Sequence, residues 1–303
     1  MKATPTPVWL VTGYLGSGKT TLLSAWLREA PLADAALIVN EIGEVGLDDR
    51  LLAQAVDSAG LLSNACICCT GMQGLQEALQ DLWWDRLHRR RPAFGSVVIE
   101  TTGLADPGPV LEAFHSVEFL LQRYRLAGVV TTVAATAGAE VLAAHEEARA
   151  QVHHANVLII TKADRADATH LQAVLHRLNP AAAIAVSAQA SVGWSEVVAG
   201  MARTGEGHGT LNHDHDHEHG PGHHHHHEAQ AGFLPLDAPL SWSALEQRIA
   251  ALRTTPLLRL KGVVDMEGRG LQTLQWSLGD EAPLLEPYQG PSAPLGLTYI
   301  QAR

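Results

Sequence analysis

Cysteine is nearly absent: the 303-residue chain has three, all between positions 66 and 69. An odd number of thiols so close together is no disulfide framework, so the fold has to rest on an apolar core. With 46% hydrophobic residues there is enough material for one full domain and a smaller second one. Basic residues are also scarce, 21 Lys and Arg against 32 Asp and Glu, for a formal net charge of −11. That balance argues against nucleic acid or an anionic membrane surface as the main partner, and any phosphate binding must be local. Long apolar runs are missing too: no stretch reaches the roughly 18 residues of a membrane span, and MKATPTP leads into the short strand VWLVTG without a signal-peptide core. The expectation is a soluble cytoplasmic protein with free thiols.

What is present is an alternation of short β-branched apolar runs with amphipathic stretches, the pattern of an α/β domain with a mostly parallel sheet covered by helices. Strands are predicted at Val8–Thr12, Ala36–Asn40, Ser96–Glu100, Gly128–Val133, Val157–Thr161 and Ala183–Ser187. Helices are predicted at about 19–29, 72–90, 108–122, 138–154, 167–178 and 194–201. Right-handed crossovers would gather the C-terminal ends of the strands at one edge, where ligands bind. Residues 1–203 are read as this domain and 204–232 as a His-rich linker without apolar periodicity, expected to be disordered. A small C-terminal α+β domain should span 233–303, with a helix at Trp242–Leu252 and strands in LLRLKGVVDM, LQTLQWSL and LGLTYI.

The segment from Gly13 to Thr20, GYLGSGKT, matches GxxxxGK[ST] between a predicted strand and a predicted helix. Gly13, Gly16, Ser17, Gly18, Lys19, Thr20 and Thr21 are the candidate phosphate contacts. In this motif backbone N–H groups wrap the phosphates, Lys19 supplies a point charge, Thr20 ligates Mg²⁺, and the helix dipole adds to the attraction. At the end of a later strand, Thr161-Lys162-Ala163-Asp164 is similar to the guanine-reading NKxD element, with Thr161 where Asn is usual. The Asp164 carboxylate offers only acceptors, which suit the N1–H and 2-amino donors of guanine and not adenine. Lys162 would lie over the base, and Ser187-Ala188 would offer N–H groups to its O6. Glu100 and Gly103, in Glu-Thr-Thr-Gly after another strand, are placed for Mg²⁺ or the attacking water and for the γ-phosphate. No arginine finger is evident, which predicts slow intrinsic hydrolysis.

Cys66, Cys68 and Cys69 put three soft ligands on one short turn, a set suited to Zn²⁺ or Cu⁺ and one ligand short of a closed structural site. A metal that enters and leaves fits an incomplete set, with water, Glu or His completing it; inert buried thiols or a redox sensor are the alternatives. The cluster lies between NEIGEVGLD and ETTG, the two segments that would sense the γ-phosphate, so metal and nucleotide should be coupled. Glu41, Glu44 and Asp48 are candidate ligands for Mg²⁺ or for the thiolate site. Ten of the 17 histidines fall in the linker, among them His213, His215, His217, His219, His223, His224, His225, His226 and His227. Interleaved with acids, they suit weak, exchangeable binding of Zn²⁺, Ni²⁺, Co²⁺ or Cu²⁺.

Four segments, GYLGSGKTTLL, NEIGEVGLD, CICC and ETTGLADP, make the chain resemble the CobW-type family of metal-handling P-loop GTPases, with the His-rich linker and KGVVDM in support. The resemblance implies a P-loop NTPase domain with Cys66, Cys68 and Cys69 as metal ligands. It also implies GTP hydrolysis coupled to delivery of a divalent metal, zinc foremost and Co²⁺ or Ni²⁺ in reserve, to a client metalloprotein. Ala65, Thr161 and Ala134-Ala135 depart from the family pattern without removing an expected ligand. A cobalt or nickel insertase, a P-loop kinase and a His-rich metal store are the competing readings.

Overall fold

Strands covered on both faces have no reason to alternate polar and apolar residues, and Ala36–Val39, Val97–Glu100 and Val157–Thr161 are buried at every position. They belong to the structure of the chain, a computed structural model that describes residues 4–39, 61–63, 67–205, 229–236, 239–252, 256–278, 280, 282–288 and 295–302. Seven parallel strands run β1 (Thr6–Gly13), β2 (Ala36–Val39), β3 (Leu61–Ser63), β4 (Val97–Glu100), β5 (Tyr124–Ala134), β6 (Val157–Thr161) and β7 (Ala183–Val186). Their order across the sheet is β3-β2-β4-β1-β5-β6-β7. The central β1 pairs with β4 and β5, setting Val11 beside Glu100 on one side and Val130 on the other. Gly13, Glu100 and Thr161 therefore end at one edge of the sheet.

Successive residues serve opposite faces. Val8, Leu10, Val97 and Ile99 pack under Leu75, Leu79 and Leu82 of helix Ile67–Leu87. Val11, Val98 and Val130 pack on the other face with Leu22, Leu23 and Trp26 of helix Lys19–Trp26.

All six predicted strands are present, and β3, three residues long, is an edge strand too short to show periodicity. The stretch 108–122 is two helices broken at Val117, and 138–154 is two broken at His145, both residues being extended. The helix expected from residue 72 starts at Ile67, so the backbone of Cys68 and Cys69 lies in its first turn and not on a free turn. Nothing there forbids it: no proline intervenes, and Gly71 and Gly74 each cost about 1 kcal/mol relative to alanine.

The remainder is an antiparallel sheet in the order β11-β10-β9-β12-β8, made of β8 (Ala229–Pro235), β9 (Leu257–Met266), β10 (Gly270–Ser277), β11 (Leu284–Pro287) and β12 (Gly296–Ala302). β8 begins inside the segment read as linker, and helix Trp194–Gly205 runs into its other end. Helix Trp242–Leu252 covers one face of this sheet through Leu245 and Ile249. Among the described residues no helix is long and apolar enough to cross a membrane.

Candidate functional site

Gly18 caps the helix Lys19–Trp26 in the left-handed region at φ 87°, with no side chain on the helix end. The first-turn N–H groups thus face the cleft at the end of β1, an anion site built from backbone alone. Lys19 is folded over this turn, its Nζ donating to the carbonyls of Gly13 at 2.6 Å and Tyr14 at 3.2 Å. The Thr20 hydroxyl donates to Glu100 Oε1 at 2.7 Å, tying the helix to the end of β4. The carboxylate belongs to a residue only 4% exposed, and together the two oxygens form a hard donor pair that fits Mg²⁺. Gly103 presses so closely on the turn that a Cβ there would lie 2.6 Å from the Leu15 nitrogen.

The cleft has about 210 Å³ of open space, and Gly16, Gly18, Lys19, Thr20, Thr21, Glu100, Gly103 and Lys162 line it. Other expected residues sit beside it. Ser17 turns inward, its hydroxyl 2.6 Å from that of Thr132. Thr161 is buried and donates to the Ser17 carbonyl at 2.6 Å, so the residue standing where Asn is usual braces the phosphate loop. Asp164 accepts the Gln189 N–H at 3.3 Å, with Arg165 Nε 3.8 Å from its other oxygen. Ser187 donates its N–H to Ile160 at 2.7 Å, which makes Ala188 the better placed of the pair for a base oxygen. Cys66, Glu41, Glu44, Asp48 and the histidines from His213 to His227 lie outside the described residues, as do the side chains of Cys68 and Cys69.

Two contributions were not foreseen. Gln151, 1% exposed, donates to the carbonyls of Gly103 at 3.2 Å and Ala105 at 2.9 Å and so fixes the segment after Glu100. Nothing in AQVHH marks that role, since a glutamine on a helix is ordinary. The C-terminal sheet also reaches the cleft: Asp280 Oδ1 lies 2.7 Å from Lys162 Nζ and 3.9 Å from Arg165, and Ser277 abuts Gly16.

Behind the phosphate loop, Tyr14 stacks on His145 with ring centroids 4.6 Å apart. Burial holds the His145 pKa below its ordinary value, partly offset by Glu147 and reinforced by Arg149, while burial raises that of Tyr14. Unfolded histidine titrates near about 6.5. Below that pH the unfolded chain binds the proton more readily, so this contribution to stability is present above about 6.5 and falls as pH drops toward the folded value. His145→Phe should flatten the loss of the urea midpoint between about pH 7.5 and 5.5, relative to the parent chain.

Comparison with known proteins adds three observations. The nucleotide-binding-domain model of CobW/HypB/UreG matches residues 7–186. The chain is 42% identical over 181 residues to the zinc chaperone YjiA of Escherichia coli, covering 59% of this chain and 57% of that one, and 34% identical over 167 residues to the zinc-regulated GTPase metalloprotein activator 1 of Schizosaccharomyces pombe, covering 53% and 39%. The matches thus span about half the length of these relatives. Among solved structures, a zinc-bound YjiA GTPase from E. coli aligns over 99% of this chain and 95% of that one, at 26% identity and a TM-score of 0.48.

Proposed function

The chain belongs to the CobW/HypB/UreG family, and from that premise we propose that it is a GTP-hydrolysing metallochaperone that carries a divalent metal, zinc foremost, and hands it to a client protein. The observation that carries the nucleotide half is the convergence on one cleft of the uncapped helix end, Lys19 and the Thr20–Glu100 pair. Backbone N–H groups of the helix's first turn and Lys19 would hold the phosphates. Thr20 and Glu100 would hold Mg²⁺, which when bound offsets phosphate charge. Gly103, packed against Leu15, would offer its backbone N–H to the γ-phosphate, and Gln151 keeps that segment in place. Asp164 would select guanine by accepting its two donors, with Lys162 along the base and Ala188 toward O6.

Zinc is the cargo in this reading, held by Cys66, Cys68 and Cys69, and the matched relatives are named as a zinc chaperone and a zinc-regulated activator. Thiolates select zinc over hard cations. The family relationship also admits cobalt or nickel. Thiols that must stay reduced place the protein in the cytoplasm. The linker histidines would load or buffer metal.

The test is GTP and ATP hydrolysis with and without one equivalent of Zn²⁺, in the parent chain and with all three cysteines changed to alanine. Zinc-responsive GTP turnover is expected. In the triple variant the response should vanish and zinc affinity should fall at least about tenfold. Turnover indifferent to base, metal and cysteines would overturn the proposal.

A further inference from the structure

Register in the C-terminal sheet decides which side chains project together. Arg259 lies opposite Ser277 of β10 and Ile300 of β12, and Lys261 lies opposite Gln275 and Thr298. Directly paired residues share a face, and period two places Arg259 and Lys261 on the same one. The other face is taken: Leu260, Val264, Leu274 and Leu297 pack with Leu245 and Ile249 of helix Trp242–Leu252. The Arg259 face rests on the nucleotide domain. Ile300 joins the apolar cluster of Tyr14 and Leu15, and Ser277 fills the space a Cβ on Gly16 would need. Arg259 and Lys261 thus line the same cleft as Lys19, Thr20, Glu100 and Gly103.

Charge sharpens the point. In a chain of formal charge −11, this cleft brings together Lys19, Lys162, Arg165, Arg259 and Lys261 against Glu100 and Asp280. Asp280 engages Lys162, and two carbonyls engage Lys19. Lys261 is only 6% exposed. A basic cleft with a helix N-terminus at its floor is a setting for a polyphosphate.

We propose that Arg259 and Lys261 contact the phosphates of the nucleotide in the cleft, so that the C-terminal sheet supplies in cis the cationic groups that promote GTP hydrolysis; this rests on the GTPase reading above. Water attacks the γ-phosphorus, the bond to the β–γ bridging oxygen breaks with its electron pair staying on GDP, and inorganic phosphate leaves with the water oxygen and one of its protons while the other passes to solvent. Negative charge grows on the leaving GDP and on the equatorial oxygens, where guanidinium and ammonium N–H groups stabilise it. The finger that no motif near residues 13–20 announces comes from the far end of the chain.

Hydrolysis of GTP in single turnover and affinity for a fluorescent GDP analogue, both on the full chain, test this. Arg259→Met and Lys261→Met, which keep an unbranched apolar stem, should each slow hydrolysis about tenfold while GDP affinity stays within about threefold. Lys261→Arg should restore most of the rate. Arg269→Ala, exposed at the turn between β9 and β10, should match the parent chain. Hydrolysis by both methionine variants within about twofold of the parent would overturn the proposal, as would an arginine variant as slow as the methionine one. A parent chain that neither binds nor hydrolyses GTP would instead overturn the GTPase reading, and this proposal with it.

Discussion

Asp164→Asn should lower affinity for GTP by about 10²-fold and raise that for xanthosine triphosphate. A carboxylate accepts both donors on guanine, and each hydrogen bond to a charged group contributes about 1.5–3 kcal/mol. Two of them would span about 10²- to 10⁴-fold, and the side chain, 28% exposed, belongs at the low end. An asparagine side chain presents one acceptor and one donor. Its NH₂ then faces the guanine 2-amino group, a donor against a donor, whereas xanthine places a carbonyl oxygen there. Competition binding with GTP, ATP and xanthosine triphosphate reads the result directly. Unchanged GTP preference in the variant would remove Asp164 from the base site and leave its bond to Gln189 as its role.

Lys19→Met should reduce GTP turnover by about 10²- to 10³-fold, the scale on which one preorganised donor at a developing charge acts. The ammonium is already positioned in the structure by the Gly13 and Tyr14 carbonyls, so nucleotide binding need not order it. Because the residue is 8% exposed and packs in the loop, a methionine of similar length keeps the packing of the stem and removes the charge together with its bonds to the Gly13 and Tyr14 carbonyls. Loss of turnover with an unchanged thermal midpoint would assign the effect to chemistry. Turnover within about threefold of the parent would mean that another cation carries the charge, with Lys261 the first to examine.

The residues around these two positions show where reading along the chain succeeds. GYLGSGKT was legible because its work is local: the backbone turn, the lysine and the hydroxyl all come from consecutive residues, and Gly18 at φ 87° occupies the conformation a glycine is there to adopt. Glu100 was legible from the strand it ends, and its partner Thr20 follows from β1 and β4 being neighbours. Thr161 was noticed as a departure from the guanine-reading element. Its hydroxyl holds the Ser17 carbonyl, a contact across the sheet that no spacing encodes. Gln151 carried no signal at all, because its two acceptors lie on a segment remote in the sequence.

The sequence by itself determined the alternating α/β layout, the phosphate loop, the base-reading candidate and the thiol cluster as chemistry, since each depends on residues adjacent in the chain or on the period of one element. Only the tertiary structure decided that the C-terminal sheet lies over the nucleotide cleft. That follows from which face of β9 helix Trp242–Leu252 covers and from Ile300 docking beside Tyr14 and Leu15. It is a packing choice between surfaces distant in sequence, and it turns Arg259, Lys261 and Asp280 from ordinary strand and turn residues into neighbours of the phosphate loop.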